Sequence, residues 1–393
     1  MKDNSNLYSK LGVSASKQEV HDAIKDVDKG IYPGAFCKIV PDVSNREDYC
    51  SLFHADGAGT KASLAYMYYK ETGDLSVFKG VVRDAIVMNT DDILCVGANG
   101  PVFLSNTIGR NNKIITGKII SVIINEYSNY SKELSSMGMN VIPCGGETAD
   151  MGDVVKSLIL DATTFTSMKR NDVIDASKIN KNDIIIGFAS FGMSNYEQEY
   201  NSGIGSNGLT LARHGTLCHL YYHKYPECYD ASLDEDFVFF GEYELTDKVD
   251  ELKSSIGKAL LSPTRTYTPL ILEILNRYRE KISGIIHNTG GGQTKVLHFS
   301  SGLNYIKNNL FKIPPIFKII QESSKTSWKE MYQVFNMGHR LEIYCKESLS
   351  KDIIRISKKY GVEAQIIGHC EQFSNTNKNH MEITTPYGIF EYE

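Results

Sequence analysis

Apolar residues in this chain fall in short runs broken by glycine, proline and acidic residues. From Tyr49 onward the runs alternate between a two-residue and a helical period. Cys50, Leu52 and Phe53 predict a strand that stops at Asp56-Gly57. Lys61–Thr72 predicts a helix closed by Gly73. Val77–Val96 predicts a longer one, with Phe78, Val81, Val82, Ala85, Ile86 and Ile93 on its apolar side and Gly97 as its stop. A strand at Val102–Thr107, a helix at Lys118–Met137 ended by Gly138, and strands at Val141–Cys144 and Leu158–Thr166 follow.

Lys169–Asp183 is polar and charged, and a new apolar strand, Ile184–Ala189, follows it. The domain boundary is placed there, giving domains 1–168 and 169–393. The second half repeats the alternation. It has a helix at Leu270–Tyr278, strands at Ile282–Asn288 and Leu341–Cys345, a helix at Leu349–Tyr360 and a strand at Ala364–Cys370. Strands alternating with helices predict an α/β (α+β) class. The Tyr- and acid-rich stretch from Gly192 to Leu260 is expected to be an excursion from the core.

Composition narrows the function. Lys+Arg total 42 against Asp+Glu 47, a net charge of −5, so no global basic excess exists to hold a nucleic-acid backbone. The polar start lacks the apolar core of a secretory signal, and no apolar run approaches the roughly 18 residues that cross a bilayer. The 8 cysteines are scattered without a C-x-x-C pair, as expected of reduced thiols in a cytoplasmic protein.

Four constellations carry candidate chemistry. In Asp56-Gly57-Ala58-Gly59-Thr60-Lys61 a strand ends in a carboxylate, glycines bring amides close to an anion, and a hydroxyl and an ammonium follow. Asn89-Thr90-Asp91-Asp92 puts adjacent acids among apolar neighbours, a costly placement unless they face water, are paired or bind a cation. Cys144-Gly145-Gly146-Glu147-Thr148-Ala149-Asp150 again joins glycines to hard oxygen donors suited to Mg²⁺. His287-Asn288-Thr289-Gly290-Gly291-Gly292 reads as an anion cradle beside a titratable histidine. Two other patterns are set aside. Gly203–Gly208 satisfies G-x-G-x-x-G, but polar residues separate it from the preceding strand, so it is not a dinucleotide fingerprint. His219 and His223 are four apart near His214 and Cys218, but with no second ligand pair at the usual spacing they are read as a solvated helix face.

Taken in order, the blocks Asp56–Lys61, Asn89–Ala98, Gly145–Met151, Ser206–Gly208, Leu260–Tyr267 and His287–Gly292 resemble the aminoimidazole ribonucleotide synthetase (phosphoribosylformylglycinamidine cyclo-ligase) family, with Phe335–Gly338 as a weaker seventh. The resemblance implies a two-domain fold whose N-terminal sheets pair into a barrel across a homodimer. It implies ATP and Mg²⁺ as cofactors. ATP would lie against Asp56, Gly57, Gly59, Thr60, Lys61, Gly145, Gly146, Glu147 and Thr148, with metal on Asp56, Asp92 and Glu147. The substrate ribonucleotide would meet Ser206, Asn207, Thr289, Gly290, Gly291 and Gly292. Catalysis is assigned to Asp92, Lys61 on the moving phosphoryl group and His287 as the proton carrier. Three departures mark a divergent member: Gly205 where the family carries histidine, thinned glycines at Pro33–Phe36, and His339-Arg340 after Gly338.

The implied reaction is ATP-dependent ring closure of formylglycinamidine ribonucleotide in purine biosynthesis, through an iminophosphate. The alternatives are another phosphotransferase of the superfamily, of selenophosphate synthetase or thiamine-phosphate kinase type, and a catalytically inactive nucleotide-binding protein. No nucleic-acid or membrane partner is expected.

Overall fold

A computed structural model describes residues 6–15, 18–374 and 378–393. Two short helices, α1 (Leu7–Lys10) and α2 (Gln18–Ala23), precede the first sheet. That sheet is built from β1 (Val40–Pro41), β2 (Tyr49–Gly57), β3 (Val102–Arg110), β4 (Val141–Asp150) and β5 (Leu158–Lys169), in the order β1-β2-β5-β3-β4. Only β3 and β4 run parallel. Helices α3 (Lys61–Thr72), α4 (Val77–Cys95) and α5 (Gly117–Ser136) cover one face. Strand β5 shows why: Leu158, Leu160, Ala162, Thr164 and Thr166 are buried at every second position, while Ile159, Asp161 and Thr163 face outward. The uncovered face carries Phe53 and Phe103, 61% and 40% exposed, with the Phe165 ring 4.6 Å from one and 6.1 Å from the other.

The second sheet holds β6 (Ile184–Ala189), β9 (Ile282–His287), β10 (Leu303–Lys307), β11 (His339–Cys345), β12 (Ala364–Gln372), β13 (His380–Thr385) and β14 (Gly388–Tyr392), in the order β14-β13-β10-β12-β6-β11-β9. Central β6 has no exposed residue, as its unbroken apolar run requires. Helices α9 (Thr268–Tyr278), α10 (Pro315–Ser324), α11 (Trp328–Val334) and α12 (Ser350–Lys359) complete this half. Helix α4 packs on β2 and β5 of the first half and on α9 and β9 of the second, so it forms a spine common to both.

Two expectations change. The stretch between Gly192 and Leu260 is not an excursion. It contains α6 (Leu209–Thr216), α7 (Leu220–Lys224), α8 (Ile256–Leu260) and the short ladder of β7 (Lys248–Val249) with β8 (Ser254–Ser255). Its aromatics are core: Tyr221, Tyr225 and Phe239 are buried, with Tyr221 stacked on Tyr225 and edge-on to Phe239. The Gly145-Gly146-Glu147 segment is not a loop after a strand either, because β4 continues through it to Asp150. Its register on β3 slips between Leu104 and Asn106, where Gly145 has φ +83°. Glycine adopts that conformation without strain, so the slip is a bulge built on Gly145.

Candidate active site

Segments far apart in sequence meet at a cleft of about 220 Å³ lined by Tyr8, Ser14, Ala15, Gly59, Thr60, Ser206, Asn207, Gly208, Leu209, Thr210, Gly290, Gly291 and Val334. The Asp56–Lys61 turn forms one wall, where β2 passes into α3. Gly57 is obligatory here, since an added Cβ would lie 1.7 Å from Asp161 Oδ1. Gly59 has φ +55° and nothing within 4 Å of where a Cβ would stand, so its backbone is open to the cleft. The opposite wall is Ser206-Asn207-Gly208 running into α6. Thr60 Oγ1 and Thr210 Oγ1 face each other at 3.4 Å. Gly290-Gly291 supplies the third wall.

The electrostatics follow from backbone rather than side chains. Neither Thr60, the N-cap of α3, nor Gly208, the N-cap of α6, makes a side-chain cap bond. The first amides of α3 donate to the Ala58 and Gly59 carbonyls, so the N-terminus of α6 is the one that offers free amide donors to the cleft, and such a terminus attracts anions. Among the described residues no carboxylate lines the cleft. The Ser206 hydroxyl is buried in its wall without a hydrogen-bond partner among the described residues. These are the properties of a phosphate-binding cleft.

Below the Thr289–Gly291 turn lies a buried charge chain. His287 Nδ1 is 2.5 Å from Asp92 Oδ1, and Arg340 Nε donates to His287 Nε2 at 2.8 Å. Arginine can only donate, so Nε2 carries no proton and Nδ1–H points to Asp92. A second Arg340 nitrogen donates to the Arg265 carbonyl, and the guanidinium lies over the Tyr267 ring, 5.3 Å from its centroid. The other oxygen of Asp92 pairs with His54 Nε2 at 3.2 Å, while His54 Nδ1 meets Asn89 Oδ1 at 3.0 Å. The Asn89 amide nitrogen lies among three carbonyls and spends both its protons on them, so its oxygen accepts and His54 carries a proton on both nitrogens. Burial opposes that charge, but the bonds to Asp92 and Cys37 outweigh it and push the His54 pKa up to about 12. For Asp92, burial is likewise outweighed by His287 and His54, which hold the carboxyl well below its usual range.

This geometry revises two expected roles. His287 is fully buried and both its nitrogens are engaged, so it is a strut between Asp92 and Arg340 rather than an open proton carrier. Lys61 is fully buried too. Its ammonium donates to Asp84 Oδ1 (3.0 Å), the Gly205 carbonyl (3.0 Å) and the Ser262 carbonyl (2.5 Å), which uses its three protons. Asp84 also accepts from the amide and hydroxyl of Thr264. Lys61 therefore joins the two halves instead of pointing at a phosphoryl group.

The acids expected to share a metal are dispersed within one chain. Across the sheet Asp56 is level with Ala162, Asn106 and Gly146, and the spacing of three strands is about 14 Å. Asp56 shares the helix-side face with buried Ala162, whereas Glu147 is level with Thr107 and Asp161 and stands on the uncovered face. Thr148 is exposed on the same strand. Asp91, beside Asp92, is buried and accepts from Thr266 Oγ1 and the Tyr267 amide.

A second buried network holds the glycine turn from below. Glu342 Oε1 accepts from Lys307 (2.5 Å), Asn288 (2.8 Å) and His339 (3.0 Å), and Oε2 accepts from Tyr344. Lys307 also donates to the carbonyl and side-chain oxygens of Gln293. Asn288 and Gln293 bracket Thr289–Gly292, so this pair fixes both ends of the turn. Sequence reading missed Lys307, Glu342, His54, Arg340 and the Tyr8–Ala15 wall. Only Arg340 carried a signal, as a departure from the family pattern.

The model of the AIR synthase related protein N-terminal domain matches residues 35–167, and that of the C-terminal domain matches residues 180–374. The phosphoribosylformylglycinamidine cyclo-ligase of Methanocaldococcus jannaschii is 30% identical over 332 residues, 84% of this chain and 81% of that protein. Its counterpart from Methanococcus vannielii is 31% identical over 364 residues, 91% of this chain and 86% of that protein. Among solved structures, a chain of the HypE-HypF complex superposes with TM-score 0.55 at 14% identity, covering 95% of this chain and 97% of that one. Phosphoribosylformylglycinamidine synthase II from Thermotoga maritima gives TM-score 0.53 at 12% identity. The match covers 98% of this chain but only 50% of the synthase. At such identities the likeness is one of fold.

Proposed function

Because the chain belongs to the AIR synthase-related family, we propose that it carries out the cyclo-ligase reaction: ATP-dependent closure of formylglycinamidine ribonucleotide to aminoimidazole ribonucleotide in purine biosynthesis, in the cytoplasm. The observation that carries this reading is the cleft, without a carboxylate among its described residues, where the Gly59-Thr60 turn, the α6 N-terminus, the Ser206 hydroxyl and the Gly290-Gly291 turn converge. A phosphorylated substrate is the ligand such a cleft accepts.

In the reaction the amide oxygen takes the γ-phosphoryl group and ADP departs. The amidine nitrogen then attacks the activated carbon, and phosphate leaves with that oxygen. The protein's task is alignment and charge compensation. Thr60, Ser206, Asn207 and the glycine-turn amides bind and orient phosphoryl oxygens. Asp92, His287 and Arg340 hold the Thr289–Gly291 turn in place from beneath.

For Mg²⁺ the donor set fits only in part. Both oxygens of Asp92 are occupied by histidines, and Glu147 faces away from Asp56. A homodimer supports a role for Glu147 even so. Pairing two uncovered sheet faces through Phe53, Phe103 and Phe165 gives the barrel that the family resemblance implies, and it puts Glu147 on the face that meets the second copy.

The test is formylglycinamidine ribonucleotide carrying heavy oxygen at the formyl position. The expected result is one labelled phosphate per ring formed, with no ADP made in its absence. ATP cleavage that needs a different acceptor overturns the proposal in favour of a related phosphotransferase. No cleavage with any acceptor overturns it in favour of a nucleotide-binding protein.

A further inference from the structure

We propose that His219, His223 and Glu235 form a zinc site on the segment that follows α6, independent of the cyclo-ligase reading. Their ligand atoms all lie within 4.8 Å of one another. His219 directly precedes α7 and His223 lies one turn on, so both rings project from one side of that turn. Their centroids are 5.8 Å apart at 81°. Sequence spacing lacked a partner for this pair. The fold brings one in from the 3₁₀ turn at Glu235–Phe237.

The decisive geometry is at the His219 ring. Its Nδ1 is 3.2 Å from the Val238 carbonyl, which can only accept, so Nδ1 carries a proton. Its Nε2 is 3.2 Å from Glu235 Oε1. That nitrogen and the carboxylate oxygen are close enough to share one cation, and the His223 ligand atom within 4.8 Å of both gives a metal ion a third donor that a shared proton would not use. Tetrahedral zinc with bonds of about 2.0–2.2 Å separates its ligand atoms by about 3.4 Å, close to the 3.2 Å between the His219 and Glu235 atoms, and a small turn of the His223 side chain brings the third donor into range. An N–H donated to a backbone carbonyl is also the usual outer contact of a metal-bound histidine, since it fixes ring and tautomer. Tyr222 stacks on the same ring at 5.0 Å and 10°, restraining it further. Two imidazoles and one carboxylate suit zinc rather than calcium or magnesium, and leave a fourth position for water. Bound there, the ion ties the α7 turn to the 3₁₀ turn and pins the intervening segment.

The probe is Co²⁺, whose spectrum reports its ligands, titrated into the full-length protein and followed by displacement with Zn²⁺. One equivalent is expected to bind with weak visible bands and no thiolate charge-transfer band. Binding should fall at least tenfold in His223→Ala and in Glu235→Gln. Zn²⁺ should raise the melting temperature of the wild type and of neither variant. The three side chains are exposed, so both variants are expected to melt like the metal-free wild type. An absence of visible bands, a thiolate band that reports binding at cysteine, or unchanged affinity in both variants each overturns the site.

Discussion

Replacing Glu342 with glutamine tests how far the glycine turn depends on a buried ion pair. Lys307 and Glu342 have no exposed surface, and their charged atoms stand 2.5 Å apart. Burial opposes ionisation of Glu342, but Lys307 and His339 hold its carboxyl well below the usual range. Removing one partner of such a pair costs about 3–5 kcal/mol, because the other charge stays buried without compensation. At about 1.2 °C per kcal/mol for a chain of this length melting as one unit, Glu342→Gln should lower the melting temperature by about 4–6 °C. Lys307→Met should cost less, since Asn288, His339 and Tyr344 still donate to the carboxylate. The double variant should be more stable than the summed single costs by about 2 kcal/mol. Urea denaturation of the four proteins gives the cycle. Because an uncharged amide oxygen accepts from Asn288 more weakly than the carboxylate does, the KM for the ribonucleotide should rise by up to about tenfold in Glu342→Gln, equivalent to about 1.4 kcal/mol of binding. Single costs that add to within about 0.5 kcal/mol would refute the coupling, and an unchanged KM would refute the link to the turn.

Asp92→Asn places an amide where two N–H groups need an acceptor and removes the counter-ion of His54. It should cost about 3 kcal/mol together with most of the turnover, and a variant that melts and reacts like wild type removes Asp92 from the design. Gly59→Ala forces φ +55° on a residue with a Cβ, so it should cost about 1–2 kcal/mol and raise the KM for ATP; unchanged values of both count against the cleft. His214 is buried, and burial lowers its pKa to about 2, so the folded state keeps it neutral while the unfolded state takes a proton below about 6.5. Stability should therefore fall by up to about 1.4 kcal/mol per pH unit from pH 6.5 to 5, and His214→Asn should flatten that slope in urea titrations.

Local pattern made the strands and long helices of the first domain legible, because their burial follows a simple period. It could not expose β10, where Lys307 interrupts a short run with a charge that only Glu342, 35 positions away, makes tolerable. The same holds for Asp91 and Asp92. Their apolar surroundings signalled that something must satisfy them, but the donors lie at Thr266, Tyr267 and His287, about half a chain further on. The glycine motifs of the cleft were readable because backbone conformation is a local property. The roles of Lys61 and His287 were not, because those depend on which groups tertiary packing brings against them.

Helix α4 presents Asp84, Asp91 and Asp92 to Thr264, Thr266, Tyr267 and His287, all beyond the first sheet. Cutting the polypeptide between its two sheets would strand those carboxylates in an apolar surface and leave Lys61 without two of its acceptors. Neither fragment should be soluble by itself. Calorimetry of the intact chain should record one heat-absorption peak rather than two, and the cleft walls should keep their spacing until the whole molecule melts.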